Sequence, residues 1–296
     1  MSTYNGSHYL EQQINSVLNQ KGCNVDLLIR DDGSTDNTLE ILQRFSSLDN
    51  VNFYCDTNLK PAKSFMHLLS QCPKTYDYYA FCDQDDVWDN DKIIIAIEKM
   101  KNIKAPALYC SNSELVDSQL RPLGVNLYSI PIPISFKRVL LAGEIQGATI
   151  VINNALANYF DQKKIPDYLP MHDYYVATVC GAIGGEYIFD FDSHMKYRQH
   201  DMNVLGVSVS LKDKLKRNVD RIFRQNTFSN LEHFSQQILS DYKDIILEEN
   251  VAFLQLTSTY KTSFVKRFKL AFLSRLHFGR FNQEVTYRIS ILLGKL

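Results

Sequence analysis

From His8 to about Leu120 the chain alternates between two hydrophobic periods, and this alternation constrains its fold more than any other feature. Leu10, Ile14, Val17 and Leu18 make a helical stripe, Val25 to Arg30 reads as a strand, and Thr38 to Phe45 is helical again. Val51 to Cys55 is strand-like, and Lys63 to Cys72 is helical with Phe65, Leu68 and Leu69 inward. Tyr78 to Cys82 is aromatic and apolar enough for a central strand. Strands separated by helices pair in parallel through crossovers, so an α/β sheet flanked by helices is expected. A chain of 296 residues can hold one large α/β domain, or one domain plus an appendage.

Directly behind the run ending at Cys82 stand Asp83, Gln84, Asp85, Asp86, Val87 and Trp88. Ligands of open α/β sheets bind at the carboxyl ends of strands. In an extended segment Asp83 and Asp85 point to the same side, close enough to share a hard divalent cation with phosphate oxygens. The competing explanation is a helix cap, since Asp89, Asn90 and Asp91 can start a helix through Ile93, Ile94, Ile97 and Met100. A cap needs one acid, and the loop has three. A calcium loop starting at Asp83 requires glycine sixth and glutamate twelfth, where the chain has Trp88 and Ile94, so that reading fails. An aspartyl-phosphate phosphatase with Asp83 as nucleophile stays as a competitor.

A second acidic turn follows the strand ending at Arg30. Gly33 permits the turn, and Ser34, Thr35 and Asp36 are good caps for the next helix. Capping leaves the pair Asp31 and Asp32 unexplained, and one of them is placed to accept hydrogen bonds from a ribose or a base. Farther on, Gly143 and Gly147 precede an apolar strand from Ala148 to Ile152, and His172 and Asp173 open a helix through Tyr174, Val176, Ala177 and Cys180. The strand-like run Glu186 to Phe191 leads to Tyr197, Arg198, Gln199 and His200. Alone, His172 with Asp173 reads as a cap and His200 as structural. Each nevertheless sits at an element boundary, as the acidic turns do.

Charge is unevenly distributed. From Val207 onward there are 15 Lys or Arg against 8 Asp or Glu, which leaves 17 against 25 in the preceding part. An acidic front fits a metal-dependent site, and a basic back fits an anionic partner such as a membrane surface. The six cysteines contain no C-x-x-C pair and several lie in apolar runs, so reduced, buried thiols are expected rather than disulfides or zinc. No stretch of about eighteen uncharged apolar residues is present and the first residues are polar, which predicts no spanning helix or signal peptide and a cytoplasmic protein.

Taken in order, Thr3-Tyr4-Asn5-Gly6, Asp31-Asp32-Gly33-Ser34, Asp83-Gln84-Asp85-Asp86-x-Trp88, His172-Asp173 and Tyr197-Arg198-Gln199-His200 resemble the family 2 glycosyltransferases of the GT-A fold, in particular bacterial rhamnosyltransferase-like enzymes of polysaccharide assembly. The resemblance covers about Ser2 to Gly206. It implies a Rossmann-like, mixed but mostly parallel sheet, a catalytic domain over 1–206 and a basic helical region over 207–296. It also implies a nucleotide-sugar donor, Mg²⁺ or Mn²⁺, and inverting transfer to a glycan or lipid-linked acceptor, with dTDP-rhamnose or a UDP-hexose as donor. By the same resemblance Thr3 and Tyr4 line the base pocket, Asp31 or Asp32 holds the base or ribose, and Asp83 sits near the ribose. Asp85 and His200 ligate the metal, Asp173 is the general base, and Trp88, Gly147 and His172 face sugar or acceptor. Members of the family carry a full apolar strand before the Thr-Tyr-Asn-Gly turn. Here Met1 stands almost at that turn, so a short first strand and a true start upstream are expected. A non-catalytic nucleotide-sugar-binding scaffold is the alternative function.

Beyond Val207 the pattern is helical. Phe264, Phe268, Phe272 and Leu276 recur every four residues, interleaved with Lys266, Arg267, Lys269 and Arg275. Such a helix either lies on a membrane surface, giving a peripheral position on the inner face of the plasma membrane, or packs its phenylalanines on the catalytic domain. Nucleic acid is not expected as a partner, because the acidic front repels it.

Overall fold

The structure is a computed structural model that describes residues 1–143, 145–161, 164–200, 230–273 and 281–296. The chain divides into two compact units. One comprises Met1–Ile130, Ile145–Ile165 and Glu186–Gly206, the other Pro131–Glu144, Pro166–Gly185 and Val207–Leu296. The expected boundary between Gly206 and Val207 lies outside the described residues.

In the first unit, β1 (Ser2–Thr3), β2 (Leu27–Asp31) and β3 (Val51–Cys55) form a parallel sheet in that order, linked through α1 (Leu10–Leu18) and α2 (Thr38–Phe45). The helical stripe of α1 behaves as its spacing demands, with Leu10, Ile14 and Val17 buried beside Ile29, Leu42 and Val51. β1 is only two residues long, as expected, and Met1 also belongs to this core. The register sets Thr3 against Asp31, so the Thr3-Tyr4 turn and the Asp31-Asp32 turn emerge side by side at the carboxyl ends.

The second sheet holds β4 (Tyr78–Ala80), β5 (Val87–Trp88), β6 (Ala107–Val116), β7 (Pro122–Asn126), β8 (Val151–Asn153) and β9 (Glu186–Arg198). Its order is β4-β8-β6-β9-β5, with β7 on β6. Two expectations change here. The Tyr78 run ends at Ala80 and pairs antiparallel with β8 at the sheet's edge, so it is not a central strand. The parallel share is also smaller than expected, because β6 with β9 is the one parallel pairing of this sheet among the described residues. The central strand is β6, buried along nearly its whole length. The Ala148 strand is shorter than its apolar run, because Gly147–Thr149 is a turn of 3₁₀ helix ahead of β8.

β9 positions the site. Its thirteen residues run parallel to β6, and a register shift lets them continue to Lys196, Tyr197 and Arg198 beside Glu114, Leu115 and Val116. There Met195 and Lys196 pair antiparallel with Trp88 and Val87. The acidic loop is thus stitched to the end of β9, two residues before His200. Behind it α4 (Lys92–Met100) buries Ala96 and Met100. Asp91, at its N-cap, makes no capping bond and the Asp89 carboxylate instead accepts from Lys196 Nζ at 2.7 Å, so capping does not account for these acids.

In the second unit, α5 (Phe136–Ala142) is capped by Ser135 and stopped by Gly143, whose φ of 57° is the left-handed conformation that glycine adopts without strain. α7 (His172–Ala182; α6 is the short helix Asn154–Ala157 of the first unit) is buried on nearly every side. Tyr174 stacks on Phe234 of helix Leu231–Asp241 at 4.4 Å, and Asn250 Nδ2 of helix Glu248–Thr257 donates to Gly181 O at 3.0 Å. Helices Phe264–Ala271 and Phe281–Leu292 complete the unit. Leu270 and Ala271 are the inward residues of the first of these. Phe264, Val265, Phe268 and Phe272 stay 62%, 74%, 52% and 53% exposed, so the phenylalanine stripe does not pack inward. Leu276 and Arg275 lie outside the described residues.

Among the described residues no helix is long and apolar enough to cross a membrane. All six cysteines are free thiols. Cys82, Cys110 and Cys180 are buried as expected, whereas Cys55 is exposed because it ends β3.

Candidate active site

The acidic loop bends at Gln84 and Asp85, and its side chains do different jobs. Asp85 Oδ2 lies 3.0 Å from His200 Nε2, and Asp83 is partly exposed. Asp86 turns into the protein, whereas Gln84 is partly exposed and reaches across to the Thr3-Tyr4 turn. Gln84 Oε1 accepts from Thr3 Oγ1 at 2.7 Å and from Tyr4 N at 2.9 Å, while its Nε2 donates to Tyr4 O at 3.3 Å. One side chain thereby fixes the Thr3-Tyr4 turn against the loop. Gly6 allows this approach, since a Cβ there would meet Gln84 and come within 2.9 Å of Thr3 Oγ1.

Asp86 is fully buried and accepts from Arg198 N at 3.1 Å. Burial, then the charges of Asp85 and Asp83, push its pKa well up, and the carboxyl braces the loop against β9. The Arg198 guanidinium completes the brace. It donates to Asp85 O at 2.8 Å, Ser118 O at 2.6 Å and Gln12 Oε1 at 2.6 Å, and it covers the Tyr9 ring at 4.3 Å. Tyr9 in turn lies 5.0 Å from the His200 ring. Gln84, Arg198 and Tyr9 had no role assigned from sequence.

Asp31 and Asp32 are both buried. Asp31 accepts from Gly33 N, Ser34 N and Ser34 Oγ at 3.0, 2.9 and 2.5 Å, which shapes its own turn. A carboxylate has about four acceptor sites, so Asp31 keeps about one for anything else. Asp32 pairs with the buried Arg30 and accepts from Ser64 Oγ at 2.8 Å and Leu59 N at 2.9 Å. Tyr4 is 48% exposed at the mouth of the same turns.

Trp88 is in the core, its ring 3.7 Å from Lys92 Nζ, and Gly147 is buried in its 3₁₀ turn. His172 and Asp173 belong to the second unit. Asp173 is partly exposed in the first turn of α7, and its Oδ1 accepts from Tyr174 N at 2.7 Å. His172 is buried, and burial pushes its pKa down to about 3.

A carboxylate oxygen beside an imidazole nitrogen suits Mg²⁺ or Mn²⁺ when phosphate oxygens and water complete the shell. The pair Asp85 and His200 therefore fits such an ion, with no third His, Cys, Asp or Glu gathered around it among the described residues.

Residues 1–126, which hold the paired turns and the acidic loop, match the family model described as glycosyl transferase family 2. Over these residues the chain is similar to the family 2 glycosyltransferases. This glycosyltransferase is 29% identical over 236 residues to the dTDP-rhamnosyl transferase RfbG of Shigella flexneri, covering 73% of this chain and 77% of that protein. It is 27% identical over 198 residues to the UDP-Glc:alpha-D-GlcNAc-diphosphoundecaprenol beta-1,3-glucosyltransferase WfgD of Escherichia coli, covering 63% and 74%. Among solved structures, S. aureus TarS 1-349 in complex with UDP superposes with a TM-score of 0.56 at 16% identity, covering 99% of this chain and 88% of that one. That likeness shows the fold, a GT-A glycosyltransferase fold with added C-terminal helices. With the family in hand, the aspartyl-phosphate phosphatase reading is set aside.

Proposed function

We propose that this glycosyltransferase moves a sugar, L-rhamnose from dTDP-rhamnose or a hexose from a UDP-sugar, to a hydroxyl of a cell-surface polysaccharide or lipid-linked precursor, with inversion. The observation that carries this reading is the contact between Asp85 and His200 at the mouth of the Thr3-Tyr4 and Asp31-Asp32 turns. Two relatives named for sugar transfer from dTDP- and UDP-linked donors support the donor class.

In this reading Thr3, Tyr4 and one of Asp31 or Asp32 receive the base and ribose, with Asp83 near the ribose. Asp85 and His200 hold Mg²⁺ or Mn²⁺, which when bound stabilises charge on the departing diphosphate as a Lewis acid. Asp173 takes the proton of the acceptor hydroxyl, whose oxygen bonds to the anomeric carbon as the bond to the diphosphate oxygen breaks. The electron pair of that broken bond leaves on the diphosphate, so a single displacement inverts the centre and needs no covalent intermediate. Trp88 backs the sugar side of the loop, and Gly147 and His172 stand toward the acceptor. A cytoplasmic enzyme is brought to a lipid-linked acceptor by its C-terminal helices, whose exposed phenylalanines alternate with Lys266, Arg267 and Lys269.

The test is thermal stability of the protein against a panel of nucleotide sugars with and without Mn²⁺, because a ligand bound only by the folded state raises the melting temperature. A Mn²⁺-dependent rise with one donor, followed by transfer to an acceptor, is expected. Donor binding with no turnover on any acceptor points to the scaffold alternative, and no rise with any donor overturns both.

A further inference from the structure

Lys92 opens α4 and is fully buried. Its ammonium sits 3.7 Å from the centroid of the Trp88 ring and has no hydrogen-bond partner among the described residues. Trp88 Nε1 and Asp86 Oδ2, both buried, also lack partners among the described residues. A cation taken from water without an acceptor costs stability, and a face-on indole returns only part of that cost. Burial accordingly pulls the Lys92 pKa down to about 8, while Cys82, Asp86 and Asp83 act to hold it up. A sequence selected for stability alone would place methionine or leucine at this position. Asp83 and Asp86 of the acidic loop act on this charge electrostatically, and Asp83 and Asp85 are partly exposed.

We propose that Lys92 is a positioning residue of the acidic loop. Held against Trp88, it is the buried countercharge that keeps Asp83 and Asp85 gathered on one short segment and favours an anionic diphosphate above them. The inference rests on reading that loop as the donor-diphosphate end of the site. It assigns Lys92 no contact with substrate. It also explains why Trp88 is buried, since the indole is the surface on which the ammonium is held.

The experiment uses Lys92→Met in the full chain, and the sole tryptophan makes intrinsic fluorescence a report on Trp88 alone. The variant is expected to melt at or above the wild-type temperature, because an unpartnered buried cation has been replaced by an apolar side chain of similar length. Its Trp88 emission should change, and its affinity for UDP or dTDP with Mn²⁺, with transfer turnover, should fall about tenfold or more. A lower melting temperature with affinity lost in proportion would make Lys92 merely structural and overturn the proposal. Wild-type affinity and turnover, within about twofold, overturn it as well. If the wild-type protein itself binds no nucleotide, the reading of the loop fails and the inference falls with it. If the wild type binds and the variant binds equally, the inference alone fails.

Discussion

His200 Nε2 meets Asp85 Oδ2 at 3.0 Å although 115 positions separate them in sequence, and the antiparallel pairing of Val87 and Trp88 with the end of β9 brings them together. If the two hold one ion, removing either should cripple the same step. Asp85→Asn and His200→Ala should each lower turnover on the order of a hundredfold. The double variant should be hardly worse than the more severe single one, because residues acting as a unit are non-additive. Chelation should abolish transfer and added Mn²⁺ restore it. Fully additive losses, or indifference to chelation, would remove the shared ion from the site.

Gln84 links the loop to the Thr3-Tyr4 turn through three hydrogen bonds. Gln84→Ala should cost about 0.5–1.5 kcal/mol of stability, the range for ordinary hydrogen bonds at a partly exposed side chain. Donor KM should rise more than turnover falls, since in the proposed reading this turn receives the base. Gly6→Ala should produce the same phenotype from the other side, because its Cβ would displace Gln84 and Thr3. Denaturant melts and donor saturation curves for both variants check this.

The positions of the two acidic turns and of α7 were legible in sequence, because helical and strand periods are local and the turns sit where those periods break. The partition of the loop was legible in half: alternation sets Asp83 and Asp85 apart from Gln84 and Asp86, and of the latter two only Asp86 is buried. What those two touch was not legible. Gln84 reaches Thr3 across 81 positions, and Asp86 reaches Arg198 across 112. Such contacts leave no local period. The Tyr78 strand was misplaced for a related reason, since apolar content reports burial and says nothing about which strand lies alongside.

Burial holds the His172 imidazole neutral, with its pKa near 3 in the folded chain against an ordinary 6.5. Below about pH 6.5 the unfolded chain takes up a proton that the folded chain refuses. Stability from this site is therefore full above pH 6.5 and is lost as the pH falls toward 3, by about 1.4 kcal/mol per unit. His172→Gln should remove that slope. Between pH 7 and pH 5 the wild type should lose about 2 kcal/mol more than the variant, as read from urea melts.

Lys60 has a φ of +63° at the start of α3 (Lys60–Gln71), a conformation that costs a side chain with a Cβ about 1 kcal/mol. Its side chain is exposed, so nothing in packing offsets that cost. Lys60→Gly should raise stability by up to about 1 kcal/mol, the relief of left-handed strain less the greater entropy of the unfolded chain. A fall in melting temperature would show that the backbone there does not hold this conformation.

The exposed stripe of helix Phe264–Ala271 gives the last prediction. Four large apolar side chains, Phe264, Val265, Phe268 and Phe272, face outward while Leu270 and Ala271 supply the packed side; Lys269 is exposed among them, and the half-buried Lys266 and Arg267 donate to Thr259 Oγ1 and Leu292 O. A solvated surface gains nothing from three phenylalanines, whereas a bilayer interface gains apolar burial and, if anionic, attraction to the cations. The protein should therefore sediment with vesicles containing anionic phospholipid and much less with neutral ones, and moderate salt should weaken binding. Replacing Phe264, Phe268 and Phe272 together by serine should abolish sedimentation and leave the melting temperature within a few degrees, because these residues are not core. Transfer to a lipid-linked acceptor in vesicles should then fall while transfer to a soluble acceptor persists. Equal loss on both acceptors would mean that the stripe supports the catalytic fold and not a lipid surface.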